Sequence, residues 1–175
     1  MRILAISGSL RAGSSNTALL RAAATLAPEG VEVVEYKGLG ELPHFNPDID
    51  VEEAPPSVTD FRAQLQASDG VLICSPEYAH GVPGVLKNAL DWIVGSGEFM
   101  EKPVALIGAS PRATYVRAAL IETLTVMMAR MVMEASIAVH LPGNKIDETG
   151  ILASEQIRNP LSKAVAAFVQ SIQSG

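Results

Sequence analysis

A three-layer α/β sandwich around a five-stranded parallel sheet, with strand order 2-1-3-4-5, is the fold this sequence predicts. Three observations lead there. Apolar runs of strand length alternate along the chain with stretches of helical period, the pattern of successive βα units. Residues 70–75 and 104–109 are almost continuously apolar, as central strands covered on both faces should be. Residues 31–36 instead interleave Glu32 and Glu35 with Val31, Val33 and Val34, which suits an edge strand with a wet face. The 175 residues, 48% of them hydrophobic, show no repeat, low-complexity tract or linker. They fit one domain, 1–175, at a size where about 70% of the unfolded surface is buried.

Each element has its own signal. Strand one, 2–7, carries Ile3, Leu4, Ala5 and Ile6. Helix one, 16–27, places Leu19, Leu20, Ala23, Leu26 and Ala27 on one face. After the edge strand, residues 37–56 are interrupted by Gly38, Gly40, Pro43, Pro47, Pro55 and Pro56. They are expected to form a long loop without secondary structure, and such loops tend to be functional. Helix two, about 57–68, buries Val58, Phe61 and Leu65. Helix three, about 83–95, begins at Pro83, a residue favoured in a first turn, and turns Val85, Leu86, Ala89, Leu90, Ile93 and Val94 inward. Helix four spans about 114–129 and strand five lies near 131–140. The chain closes on a helix whose Leu161, Ala164, Val165, Phe168, Val169 and Ile172 keep the i, i+3, i+4, i+7 spacing.

Composition narrows the function classes. A net charge of −6 disfavours nucleic acid or an anionic membrane as partner. One cysteine, Cys74, rules out an internal disulfide and a cysteine-built metal site. No apolar run approaches the ~20 residues of a membrane span, and Met1-Arg2 leads straight into a strand without a signal-peptide core. A cytoplasmic protein is expected. His44 and His140 lack ligand spacing, so no metal site is expected. Cys74 is expected in the core rather than as a redox thiol. Met127, Met128, Met131 and Met133 suit core or subunit packing.

In the 2-1-3-4-5 order the sheet reverses direction between strands one and three, and ligands bind beyond the carboxyl ends of the strands there. The loops after strands one, three and four should therefore meet. The first, SGSLRAGSSN (7–16), carries a strand into a helix N-terminus through small hydroxyl residues, which makes an anion site. Gly8 and Gly13 have P-loop spacing, but Ser14 and Ser15 stand where the lysine and Ser/Thr belong, and no G-x-G-x-x-G is present. What remains suits one terminal phosphate held by Ser9, Arg11, Ser14, Asn16 and Thr17. Charge-assisted bonds of about 1.5–3 kcal/mol each give roughly micromolar affinity after ordering costs. The plain alternative is a Gly/Ser turn in which Ser15 or Asn16 caps the helix. The second loop, SPEYAHGVPGVLKNALDW (75–92), is stiffened by Pro76 and Pro83. Tyr78 offers an aromatic face, and backbone N–H groups near Glu77 and Tyr78 can meet the polar edge of a flat ring. The alternative there is an ordinary loop, with Glu77 solvated and Lys87–Asp91 a surface pair.

Residues 8–16 (GSLRAGSSN) and 76–92 (PEYAHGVPGVLKNALDW) resemble the two signature stretches of the NAD(P)H-dependent FMN reductases. These are flavodoxin-like flavoproteins that include quinone, chromate and azo-dye reductases. LPHFNPDID (42–50), MVM…NKID (131–147) and the order of elements along nearly the whole chain agree. The resemblance implies non-covalent FMN, its phosphate on Ser9, Arg11, Ser14 and Asn16 and its isoalloxazine against Pro76, Glu77 and Tyr78; Ser15 and Thr17 of the first loop are further cofactor-binding candidates. It implies NADPH or NADH as co-substrate, hydride transfer to flavin N5, and a ping-pong cycle onto a quinone, free flavin or azo compound, with no obligate catalytic side chain. It also implies a homodimer or homotetramer, with helix three (including Trp92) and helix four as contact surfaces and the 42–50 loop bordering the partner's flavin.

The chain departs from the family pattern twice. Ala79 replaces the usual Asn. GASPRATYVRAAL (108–120) replaces a longer glycine-rich loop, so the ring's outer edge is bound differently or flavin affinity is lower. Ser110 and Arg112 are the cofactor candidates there, Arg112 for flavin or a nicotinamide phosphate, or else as a surface residue. His80 is a rim residue or a proton donor to a reduced quinone. Two other classes stay open: an FMN electron carrier without nicotinamide turnover, and a flavin-free regulatory or phosphate-binding module.

Overall fold

The computed structural model describes residues 1–50, 54–143 and 146–175. Five strands, β1 (Arg2–Ser7), β2 (Glu32–Glu35), β3 (Gly70–Cys74), β4 (Pro103–Leu106) and β5 (Arg130–Met131), form one sheet in the order β2-β1-β3-β4-β5. Every pairing is parallel. Among the described residues the helices are α1 (Ser15–Thr25), α2 (Pro56–Gln66), α3 (Gly84–Ile93), α4 (Thr114–Val126), α5 (Glu148–Ala153) and α6 (Glu155–Ser174). Successive strand residues point to opposite faces, so β1 sends Leu4 and Ile6 to one core and Ile3 and Ala5 to the other. The first core is completed by Phe61 and Leu65 of α2, Leu86, Leu90 and Trp92 of α3, and Leu120 and Leu124 of α4. The second takes Leu19 and Leu20 of α1, Ile151 of α5, and Leu161, Val165 and Phe168 of α6. The three-layer architecture is the one expected. Among the described residues no helix is long and apolar enough to cross a membrane.

Four local expectations need correction. Strand five was expected over 131–140 but pairs only through Arg130 and Met131. The chain then turns through a 3-10 helix, Met133–Ala135, and rejoins the sheet at a bridge between Gly108 and Ala138. The buried Ser136 makes this possible: its Oγ accepts the Leu106 N–H at 3.0 Å, as a neighbouring strand's carbonyl would, and donates to Val132 O. Residues 37–56 are not structureless, since Gly38–Glu41 and Pro47–Ile49 form 3-10 turns; residues 51–53 of that stretch lie outside the described residues, as do 144 and 145 of the NKID segment. The stretch is clamped by α3: Asn88 accepts the Phe45 N–H and donates to Pro43 O, and Trp92 Nε1 donates to Pro43 O at 2.7 Å.

That clamp removes Trp92 from any subunit surface, because its ring is fully buried and meets Phe45 edge-on at 5.2 Å. Finally, α1 is capped by Ser14, whose Oγ accepts the Thr17 N–H, rather than by Ser15 or Asn16. The methionines divide: Met127 is buried and Met131 packs on the first core, while Met128 and Met133 are exposed.

Candidate functional site

The carboxyl ends of β1, β3 and β4 converge as the strand order requires. Gly8 continues the sheet one residue past β1 by donating its N–H to Cys74 O at 2.8 Å. A Cβ on Gly8 would stand 2.6 Å from Ser75 Oγ and 3.0 Å from Ser75 Cβ, so glycine is what lets the first two loops touch. Beyond it the chain hydrogen-bonds to itself. Ser14 N–H bonds Arg11 O at 3.0 Å, and the Arg11 guanidinium donates to Gly13 O at 2.6 Å. Ser15 and Asn16 are the first two residues of α1, and N–H groups at those positions have no acceptor within a helix. Both residues line the cleft, where the positive end of the helix dipole favours an anion.

Thr17 serves differently from its expected role. Its hydroxyl donates to Ser7 Oγ at 2.8 Å, the residue is buried, and it is absent from the cleft wall. It braces the strand end beneath the loop.

The second loop is a tight hairpin. Tyr78 and Gly81 exchange backbone hydrogen bonds of 3.2 and 2.9 Å around Ala79 and His80, whose φ angles are +48° and +59°. Two left-handed central residues define the turn that normally recruits Asn-Gly, so an Asn would suit position 79. The His80 ring lies on Tyr115, centroids 4.2 Å apart and planes within 17°. Glu77 is not solvated. Its Oε2 accepts the Val116 N–H at 3.0 Å, capping α4, which has no side-chain cap of its own at Ala113. Lys87 and Asp91 do form an exposed i,i+4 pair.

The third loop turns without a glycine pair. Ser110 Oγ accepts the Arg112 N–H at 3.2 Å, its carbonyl accepts the Ala113 N–H, and Arg112 O accepts the Thr114 N–H. A hydroxyl residue thus supplies the local bonds of the turn.

Together these loops enclose a cleft of about 530 Å³, within the range of small-ligand sites. Ser9, Arg11, Ser14, Ser15 and Asn16 form one wall, Pro76, Glu77 and Tyr78 the facing one, and Ser110 and Arg112 a third. Tyr78 is 58% exposed, its face open. Sequence reasoning missed Ser75, Ala109 and Ala113, and also the segment carrying His140, Leu141 and Gly143 that closes the cleft. That segment follows β5, and its place was available from the rule that ligands meet strand ends, had it been applied to the fifth strand. His80 and Tyr115 stand outside the wall. Cys74 is fully buried and burial pushes its thiol ionisation far up; a nucleophilic or redox role, which needs thiolate, does not fit it.

The cleft fits a flavin mononucleotide. Its cationic side chains, Arg11 and Arg112, and the first-turn N–H donors of α1 suit a phosphate.

Residues 1–143 match the family model described as NADPH-dependent FMN reductase. The chain is 35% identical over 176 residues to an NAD(P)H-dependent FMN reductase of Pseudomonas aeruginosa, covering 96% of this chain and 93% of that protein. It is 36% identical over 186 residues to a probable NADPH:quinone oxidoreductase of Oryza sativa subsp. japonica, covering 99% and 91%. Among solved structures, the flavoenzyme NAD(P)H:(acceptor) oxidoreductase FerB from Paracoccus denitrificans superposes with a TM-score of 0.80 at 30% identity, over 99% of this chain and 97% of that one.

Proposed function

The chain belongs to the NADPH-dependent FMN reductase family, and from that premise we propose that it reduces quinone-type acceptors, with FMN seated in the cleft between the first three loops. It is a flavodoxin-like oxidoreductase that uses FMN with a nicotinamide co-substrate; the flavin-free module and the simple electron carrier give way to that membership. The observation that carries the site is the placement of the α1 first turn and Arg11 in the same cleft as the open face of Tyr78.

FMN held there would supply a two-electron centre able to accept hydride from NADH or NADPH at N5 and to pass it on to a quinone, free flavin or azo compound in a ping-pong cycle. The protein's part is holding and orienting. Ser9, Arg11, Ser14, Ser15 and Asn16 bind the phosphate, and Thr17 fixes the strand end under them through Ser7. Pro76, Glu77 and Tyr78 flank the ring, Glu77 with its carboxylate already engaged by α4. Ser110 and Arg112 border the outer edge, where Arg112 is placed for the flavin or for a nicotinamide phosphate. No cleft side chain needs to act as acid or base. The exposed Tyr115 and Val126 on α4 support a subunit contact there, in a homodimer or homotetramer, and a cytoplasmic setting completes the reading.

Steady-state oxidation of NADH and NADPH by the FMN-loaded protein with menadione as acceptor tests it. Multiple turnover with at least one nicotinamide is expected. Flavin-loaded protein with negligible turnover would overturn the reductase reading.

A further inference from the structure

The buried thiol beneath the first loop has a partner that faces the cleft. Cys74, the last residue of β3, donates its Sγ–H to Asn16 Oδ1 at 3.3 Å, and the sulfur in turn receives a backbone hydrogen bond from Ala109. One side chain therefore ties the ends of β3, α1 and the third loop together. Asn16 is only 7% exposed, yet it lines the cleft, and its Nδ2 is not among the sealed, unpaired buried atoms.

We propose that Cys74 is a positioning residue: by occupying the Asn16 carboxamide oxygen, it turns the Asn16 NH2 into the cleft as a donor to the cofactor's phosphate. The inference rests on the reading that FMN occupies this cleft. A carboxamide is nearly symmetric in shape, so packing alone does not choose which end faces a ligand; the hydrogen-bond network does. With the Ala109 N–H on the sulfur, the thiol presents its hydrogen to Asn16 Oδ1. A flipped amide would aim its oxygen at an anion and leave the thiol hydrogen without its acceptor. Because burial disfavours thiolate, the hydrogen stays on sulfur through the neutral range. The cysteine acts here as a weak, well-sheltered donor, with no redox step.

Equilibrium titrations of the full-length wild type, Cys74→Ala and Cys74→Ser with FMN and with riboflavin, which lacks the phosphate, test this. Cys74→Ala should weaken FMN about fivefold, the scale of one lost orienting hydrogen bond, and leave riboflavin unchanged. Cys74→Ser, which keeps a donor, should restore FMN affinity to within about twofold. In an Asn16→Ala background, Cys74→Ala should have no further effect. If Cys74→Ala does not fold, Cys74→Val removes the donor while filling the site, and the same FMN-selective loss is expected of it. FMN binding by the donor-less variant as tight as wild type, or equal loss for both ligands, would overturn the proposal. A wild type that binds no FMN at all would overturn the underlying reading as well, and is distinguishable from either.

Discussion

The loop at 7–16 and the loop at 75–83 face each other across one cleft, yet they keep their shapes by different means. The first is locally determined. Small hydroxyl residues sit where the backbone needs acceptors, Ser14 caps the helix that follows, and Arg11 closes onto Gly13 two residues on. The second is held from outside. Its central residues, Ala79 and His80, occupy left-handed conformations that cost non-glycine residues roughly 1–2 kcal/mol each. The compensation comes from α4, through the Glu77 cap on Val116 and the stack of His80 on Tyr115. The first loop thus takes its turn from its own residues, whereas the second depends on the helix after the third loop. Ala79 and the 108–120 stretch then belong together, since the start of α4 in that stretch braces the turn that Ala79 occupies.

That contrast can be broken by substitution. The largest effect falls on the first loop, where Arg11→Ala should weaken FMN at least about tenfold, the scale of one charge-assisted contact, with little change in melting temperature. Glu77→Ala should act on stability instead. Losing the α4 cap costs about 1 kcal/mol, or roughly 2–4 °C in Tm for a chain of this size, and thermal melts of the flavin-free protein read it directly. Smallest is Ala79→Asn, which suits a left-handed position better and has an exposed site to occupy. It should raise Tm by about 1–3 °C; a drop would show that the turn is not strained at this position.

The division between local and distant determination also marks what could be read in the sequence. The sheet order, the two cores and the first loop follow from periodicity and turn chemistry that neighbouring residues carry. The short β5 was hidden because a single side-chain hydroxyl, Ser136, substitutes for a strand, and no pattern of apolar residues announces that. The burial of Trp92, which the resemblance placed at a subunit contact, was not legible because its cover, Pro43 and Phe45, comes from a segment about fifty residues earlier. That Glu77 caps α4 was not legible, because the helix it caps begins well beyond any local window. Thr17 sits one position further into the helix than Asn16, where its hydroxyl meets Ser7 rather than the cleft.

The grip of the first loop on a phosphate is tested most directly by titrating FMN and riboflavin in parallel into wild type and Arg11→Ala. A wild type that prefers FMN, with that preference shrinking about tenfold in the variant, is the expected result. Equal losses for the two ligands, or an unchanged preference for FMN, would contradict it.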